Sequence, residues 1–406
     1  MSVRSWRGWT LACALAVVIL VFPWDRAFHL LRTKEVQRGD FVLPLDVNTI
    51  FRIEIAQGTN RTVLTRLNGF WKVDSLFGHE ALFVKVVEAL GRLSQVDVGQ
   101  VLPADESQLP EYGLASSPGQ ARDVAFPMTP SPYFLTLSAA SGADPVRLTL
   151  GDRRCASSRT SGGESFGGQY LRVNNGPVLL VARPVYGFSA RGIDWIETRL
   201  GPIPEDEVVW VETEVSNITT RLTVQGEGFQ QEPLLAGEQW DDVAARRAFG
   251  AMKYLQVLDV ADPALPDSVT GMSMPDRYRF LTRDGQRVEV LLGGKTPDGS
   301  GSYVRLSVHY IRPEPLDEEK AFRNALGKIE SDEDKKTIQA RIENLRPFWE
   351  ADSRAVESKA KQSHARMAPH LYVVDPSIVE VMRQGRDRLV ISPSQEMRNM
   401  RNPEAK

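Results

Sequence analysis

Ile53-Glu54-Ile55, followed by Phe70-Trp71-Lys72-Val73 and a helix-patterned run ending near Val98, is a passage that this chain uses twice. It returns as Val209-Trp210-Val211, then Gly228-Phe229-Gln230, then a second helix-patterned run ending near Val260. Each passage leads into a turn signature, Tyr112-Gly113-Leu114 with Pro118 in the first and Thr270-Gly271-Met272 with Pro275 in the second. A glycine-turned strand pair and a tyrosine-bearing strand follow both times. Gly168-Gln169-Tyr170-Leu171-Arg172-Val173 thus matches Gly301-Ser302-Tyr303-Val304-Arg305-Leu306. Two copies of about 160 residues are too large and too few for a solenoid, so the repetition reads as a tandem domain duplication.

Within the first copy, Phe51, Ile53 and Ile55, then Val63, Leu64 and Leu67, then Trp71 and Val73 predict an antiparallel meander. Gln57-Gly58-Thr59-Asn60 and Asn68-Gly69 supply its turns. Leu82, Val86, Leu90 and Leu93 recur at helical spacing and predict one apolar stripe against a sheet. Residues 133–137 and 146–150 read as a hairpin ended by Gly151, with a polar loop over 152–168. Asn174-Asn175-Gly176 predicts a tight turn before residues 178–181, and a short helix is expected over 186–195. The second copy repeats this order: a helix with Val243, Phe249, Met252 and Leu255, a hairpin through Asp284-Gly285, and a partner strand at 371–374. A helix through Val379 and Met382 closes it.

The copies differ between Tyr310 and His370, where the second inserts a charged, helix-favouring stretch. Phe322, Leu326 and Ile329, then Ile338, Ile342 and Leu345, form two amphipathic stripes separated by Ser331-Asp332-Glu333-Asp334. This predicts a helical hairpin bounded by Pro347, either a solvated arm or one that docks a partner on its apolar stripe.

A chain of 406 residues exceeds one ordinary core. The expected layout is a membrane anchor over 1–25, a juxtamembrane linker over 26–46, a first repeat domain over 47–200, and a second over 207–393. The second carries the insertion at 314–366, and 394–406 is a tail. The anchor is read from Trp9 to Trp24, about 16 uncharged residues against the roughly 20 usual for a span, bracketed by tryptophans. No small-x-small cleavage site follows Val21-Phe22-Pro23-Trp24, so the anchor is expected to be uncleaved, with the body outside. A net charge of −3 excludes a general nucleic-acid binder. The two cysteines, Cys13 in the apolar run and Cys155 in a polar loop, are not placed to pair.

Through Trp71, Tyr112-Gly113-Leu114, Gly151 and Gln169-Tyr170-Leu171-Arg172-Val173, the chain resembles the family catalogued as domain of unknown function 4340. The resemblance covers roughly 47–200 and 207–390 and is closer in the first copy. In the second, Thr270 replaces the tyrosine, Met272 the leucine, and Phe229 stands near the tryptophan position. It implies a membrane-anchored extracytoplasmic accessory protein of a bacterial inner-membrane assembly, linked to ABC-type transporter or auxiliary subunits. It implies no catalytic residue.

Reactive residue types form no familiar constellation. His29, His79, His309, His364 and His370 are scattered without metal-ligand spacing, and the Gly162-Gly163 and Gly167-Gly168 pairs lack the lysine of a phosphate loop. No nucleophile elbow accompanies Cys155 and its neighbouring serines. Asp241-Asp242 suits a helix N-terminus better than a carboxylate pair. Asn60-Arg61-Thr62 and Asn217-Ile218-Thr219 are short chance matches to a glycosylation acceptor. Tyr112, Tyr133, Tyr170, Arg172, Tyr303 and Arg305 are the residues to watch, either as cross-strand packing or as a ligand or partner surface.

The expected fold is therefore α+β: an N-terminal transmembrane helix, then two duplicated antiparallel-sheet domains with packed helices, the second with a helical-hairpin insertion. The expected function is a non-catalytic accessory or scaffold protein without cofactors. The alternatives are an envelope-ligand binding module, for example for glycans, and a hydrolase.

Overall fold

The computed structural model describes residues 37–43, 46–103, 105–114, 132–139, 144–157, 164–200, 203, 205–225, 228–230, 238–312, 317–329 and 331–391. One compact unit gathers the described residues of 1–48, 90–134 and 146–186, and a second gathers those of 49–89, 135–145 and 187–406.

The chain opens with a meander of β1 (Ile50–Gln57), β2 (Asn60–Leu67) and β3 (Phe70–Val73), then the short β4 (His79–Glu80). Alternation sets the register: Ile53, Ile55, Leu64 and Val73 are fully buried, while Arg52, Glu54 and Arg61 stand on the other face. Asn68 and Gly69 both adopt positive φ, the conformation that a two-residue hairpin turn demands. The helix α1 (Phe83–Ser94) buries Val86, Leu90 and Leu93 of the predicted stripe together with Ala89, whereas Leu82 precedes the helix and is exposed, and it leads to β5 (Val98–Leu102). Strands β6 (Tyr133–Ala139), β7 (Val146–Ser157), β8 (Glu164–Val173) and β9 (Val178–Val181) complete a nine-stranded sheet, ordered β4-β3-β2-β1-β6-β7-β8-β9-β5.

The second half repeats the plan with β10 (Val208–Val215), β11 (Ile218–Gln225), β12 (Gly228–Gln230) and β13 (Gln239–Trp240). Helix α2 (Asp242–Phe249) starts on Asp241, whose carboxylate accepts from the Val243 and Ala244 amides at 3.0 Å each. After it come β14 (Val257–Ala261), the one-turn α3 (Asp267–Thr270), β15 (Asp276–Thr282), β16 (Gln286–Lys295) and β17 (Ser302–Tyr310). Helices α4 (Asp317–Leu326) and α5 (Asp332–Met367) intervene before β18 (Leu371–Val374), α6 (Pro376–Met382), α7 (Arg386–Leu389) and β19 (Val390–Ile391). The eight-stranded sheet runs β12-β11-β10-β15-β16-β17-β18-β14, strand for strand the order of the first sheet without its short edge. The counterpart of that edge, β13, pairs instead with β19.

One face of the second sheet is core. Tyr278, Phe280, Val290, Leu292 and Val304 are buried there, and the Tyr278 hydroxyl donates to the Ala248 carbonyl at 2.7 Å, tying α2 to the sheet. The other face carries a charge ladder. Arg279, with only 12% of its side chain exposed, donates to Glu289 at 2.8 Å, Glu212 at 2.7 Å and Glu214 at 2.9 Å across three strands. Such shared, charge-assisted bonds suit a half-desolvated sheet face better than isolated surface pairs do.

Several expectations need correction. No helix among the described residues is long and apolar enough to cross a membrane, and α5, long enough at 36 residues, is too charged. The segment assigned to an anchor, residues 1–25, lies outside the described residues, and its apolar run is short of a full span. The architecture is thus α+β with two large antiparallel sheets and packed helices. The transmembrane element, the inner-membrane placement and the transporter partnership built on it are withdrawn.

Pro347 does not bound the insertion but lies inside α5, which continues unbroken to Met367. The expected polar loop at 152–168 is largely strand: β7 and β8 pair out to Ser157 and Glu164, through register shifts that let glycine-rich sequence stay in the ladder. The helix expected over 186–195 shrinks to a single 3₁₀ turn, Gly192–Trp195.

Candidate functional site

The repeated turn signature is a device for close packing. A 3₁₀ turn over Leu109–Tyr112 and helix α3 both end on a left-handed glycine, Gly113 at φ +68° and Gly271 at φ +71°. Each then lies on the middle of a strand. A Cβ added at Gly151 would sit 2.3 Å from the Tyr112 carbonyl oxygen, and one at Gly293 would sit 2.3 Å from that of Thr270. Leu114 and Met272 seal the same contacts from the side.

The residues singled out for a surface fall into this framework. Tyr112 and Tyr170 stack with centroids 4.8 Å apart over a core of Leu109, Leu114 and Val178. Arg172 donates through Nε to the Gly176 carbonyl at 2.8 Å and through Nη2 to that of Asn175 at 3.1 Å, locking the β8–β9 turn. Glu106 lies 3.7 Å from its guanidinium. Tyr133 opens β6, half-buried. In the second copy Tyr303 is buried with Met272, Leu371 and Val373, and Arg305 reaches the Pro263 carbonyl at 3.5 Å. The structure brings together Tyr112 with Tyr170, and Tyr303 with its turn.

The insertion is a helical arm. Phe322, Leu326 and Ile329 are half-buried, as are Ile338 and Leu345, and Ile342 is buried. The Phe322 ring lies 5.9 Å from the buried Trp349 and under the Arg341 guanidinium at 5.6 Å. Glu319 joins the two helices, bonding Arg323 at 2.7 Å and lying 3.8 Å from Arg346. The base of the arm covers the part of β17 that β18 does not pair: the Val308 amide donates to His364 Nδ1 at 3.3 Å, and the Tyr310 and Ser353 hydroxyls bond. Phe348, beside Pro347, is left 68% exposed.

At the foot of α5 the fold assembles histidines that looked scattered. The His79 and His370 rings lie 4.5 Å apart, with Tyr372 edge-on to both. Because the Glu80 carbonyl can only accept, His79 Nδ1–H donates to it at 3.0 Å, which leaves Nε2 to accept from the Tyr372 hydroxyl at 3.2 Å. His370 is 8% exposed, and its Nδ1 has no hydrogen-bond partner among the described residues. Burial, reinforced by His79 and Lys72, pushes the His370 pKa down to about 4. Burial lowers that of His79 as well, with Arg366 adding to the effect, and raises the Tyr372 phenol. The cluster is therefore neutral at pH 7. No sequence spacing marked it, since His79 and Tyr372 are 293 positions apart.

A cavity of about 700 Å³ opens at the foot of α5, between it, the strands β15 to β17, and Glu197, Arg199, Leu200, Ile203 and Glu207. Buried Met252, Val288, Leu306 and Met367 form its apolar floor. Arg199, Lys359 and Arg366, all exposed, stand around it. Among the described residues, no group of three or more His, Cys, Asp or Glu is placed to hold a metal ion.

No family model matches this chain, and neither does any curated protein or solved structure. The likeness to the domain of unknown function family rests on the signature residues alone, whose work in this fold is packing.

Proposed function

We propose that the chain is a non-catalytic accessory protein, a scaffold whose helical arm docks a protein partner. The observation that carries this reading is the contrast between two equivalent connections. The first copy passes from β8 to β9 through a tight turn around Asn174-Asn175-Gly176. The second passes from β17 to β18 through residues 311–370, which build α4 and α5. A sheet of the same order forms without the arm, and the part of the arm beyond the base that covers β17 is left for a need outside the sheet.

The arm is also preformed. Its two helices hold each other through Phe322 on Trp349 and Glu319 beside Arg346, so a partner need not supply order, and binding loses little conformational entropy. Exposed Phe348 gives the outer face of α5 an aromatic anchor of the kind that dominates interface energetics.

The test is a crosslinking pull-down with full-length protein, with a form lacking residues 316–363, and with Phe348→Glu. A partner recovered by the full chain and lost with both changes supports docking through the arm. Equal recovery by all three refutes it.

A further inference from the structure

We infer that the cavity at the foot of α5 is a binding site for an amphiphilic anion, a carboxylate or phosphate head carrying an apolar tail. The lining has two halves of different chemistry. Met252, Val288, Leu306 and Met367 are buried and offer only carbon and sulfur, a surface that gains by excluding water from an alkyl or aryl body. Around them stand three cations.

Neither the Arg199 nor the Arg366 guanidinium forms an ion pair or a side-chain hydrogen bond among the described residues, and Lys359 makes no such bond either. The lining acids are more committed. Asp284 accepts from the Thr282 hydroxyl and from Gln286 Nε2 at 2.8 Å, and its carboxyl is held below the usual range by those bonds and by Lys359. Glu197 accepts from the Arg199 amide at 3.1 Å. Glu207 is the one lining acid whose carboxylate is uncommitted.

The cavity therefore offers unspent donors to an incoming head group and an apolar floor to its tail. Guanidinium groups suit carboxylate and phosphate alike through paired N–H donors. The volume of about 700 Å³ lies within the range of small-molecule sites. The site is separate from the exposed Phe348 of the arm, so ligand binding and partner docking can be scored independently.

Isothermal titration of the full chain with dodecanoate and dodecyl phosphate, below their micelle concentrations, tests the inference, with dodecanol and acetate as probes of tail and head alone. Either anion is expected to bind one per chain, at least about tenfold tighter than dodecanol or acetate. Arg199→Gln and Arg366→Gln are each expected to weaken dodecanoate by about three- to tenfold, and added salt to weaken it further. Met252→Trp is expected to abolish binding by filling the floor. Because the three cations are exposed, their variants should keep the wild-type melting temperature, which is measured alongside. Dodecanol binding as tightly as dodecanoate overturns the anionic assignment. Dodecanoate affinity unchanged by both arginine variants overturns the site, and no binding of either anion overturns the inference whole.

Discussion

Lowering the pH from 7.5 to 5.0 is expected to destabilise the fold through His370, and the size of the effect follows from its surroundings. The ring is buried, Nδ1 has no acceptor among the described residues, and the charged groups nearest in effect, Lys72 and, through His79, Arg366, are cationic. Among the described residues, the countervailing charge acting on the pair is Glu80, next to His79. The folded pKa is thus depressed to about 4, below the value of about 6.5 in an unfolded chain. The unfolded state binds the proton more readily, so stability is complete well above pH 6.5 and is lost as pH falls toward 4. At pH 5 the His370 contribution is a loss of about 2 kcal/mol, and His79 acts in the same direction.

The control is His370→Phe, which fills the same space without a titrating nitrogen. At pH 7.5 it should be close to neutral, because it removes an unsatisfied polar atom along with the ring nitrogen. Urea unfolding of both proteins at both pH values gives a difference of differences in which titrating groups distant from His370 cancel, leaving His370 and its coupling to His79. Wild type should lose about 2 kcal/mol more than the variant. Equal losses, to within about 0.5 kcal/mol, would refute the argument that the buried imidazole resists protonation.

Three further outcomes are expected. Gly151→Ala and Gly293→Ala should each cost about 2–4 kcal/mol, since their new methyl groups meet backbone oxygen at 2.3 Å, whereas Gly58→Ala, with nothing within 4 Å and φ +56°, should cost about 1 kcal/mol; thermal unfolding separates them. Arg279→Met should cost about 1–3 kcal/mol in urea unfolding at pH 7.5, because it leaves Glu289 without its partner, while Arg221 still holds Glu212 at 2.6 Å and Arg277 lies 3.6 Å from Glu214. Pro347→Ala restores a donor to the middle of α5, and should slow amide hydrogen exchange across residues 343–352 without altering exchange in β1 to β4.

The parts of this fold legible in the sequence are those set by local period. Alternation in β1 to β3 and helical spacing in α1 state which face is buried, and the burial follows them in their interiors, while Phe51, Leu67 and Leu82 near the element ends are exposed. Elements whose form depends on distant partners were not legible. Residues 152–157 carry loop composition, yet become strand because β8 pairs with them through bulges. Pro347 ends a helix in isolation, but the packing of Trp349 and Ile342 in the arm carries α5 past it. His79 and His370 became neighbours only through the tertiary fold, and the cavity at the foot of α5 is walled by residues from five separate stretches.

The signature itself shows why the two copies could drift apart while keeping one architecture. What Tyr112 and Thr270 share is a backbone carbonyl pressed against a glycine, and a carbonyl is common to every residue. Their side chains are free to differ. Tyr112 stacks on Tyr170, whereas Thr270 turns its hydroxyl back to the Pro266 carbonyl at 3.3 Å and leaves Tyr303 to pack on Met272. The demand that cannot be relaxed falls on Gly151 and Gly293, because any Cβ there collides with that carbonyl. A duplication recognised by its tyrosines is therefore held together by its glycines. The second copy departs from that plan at the arm and at the cavity at its foot, which is where the proposed docking and ligand binding are to be tested.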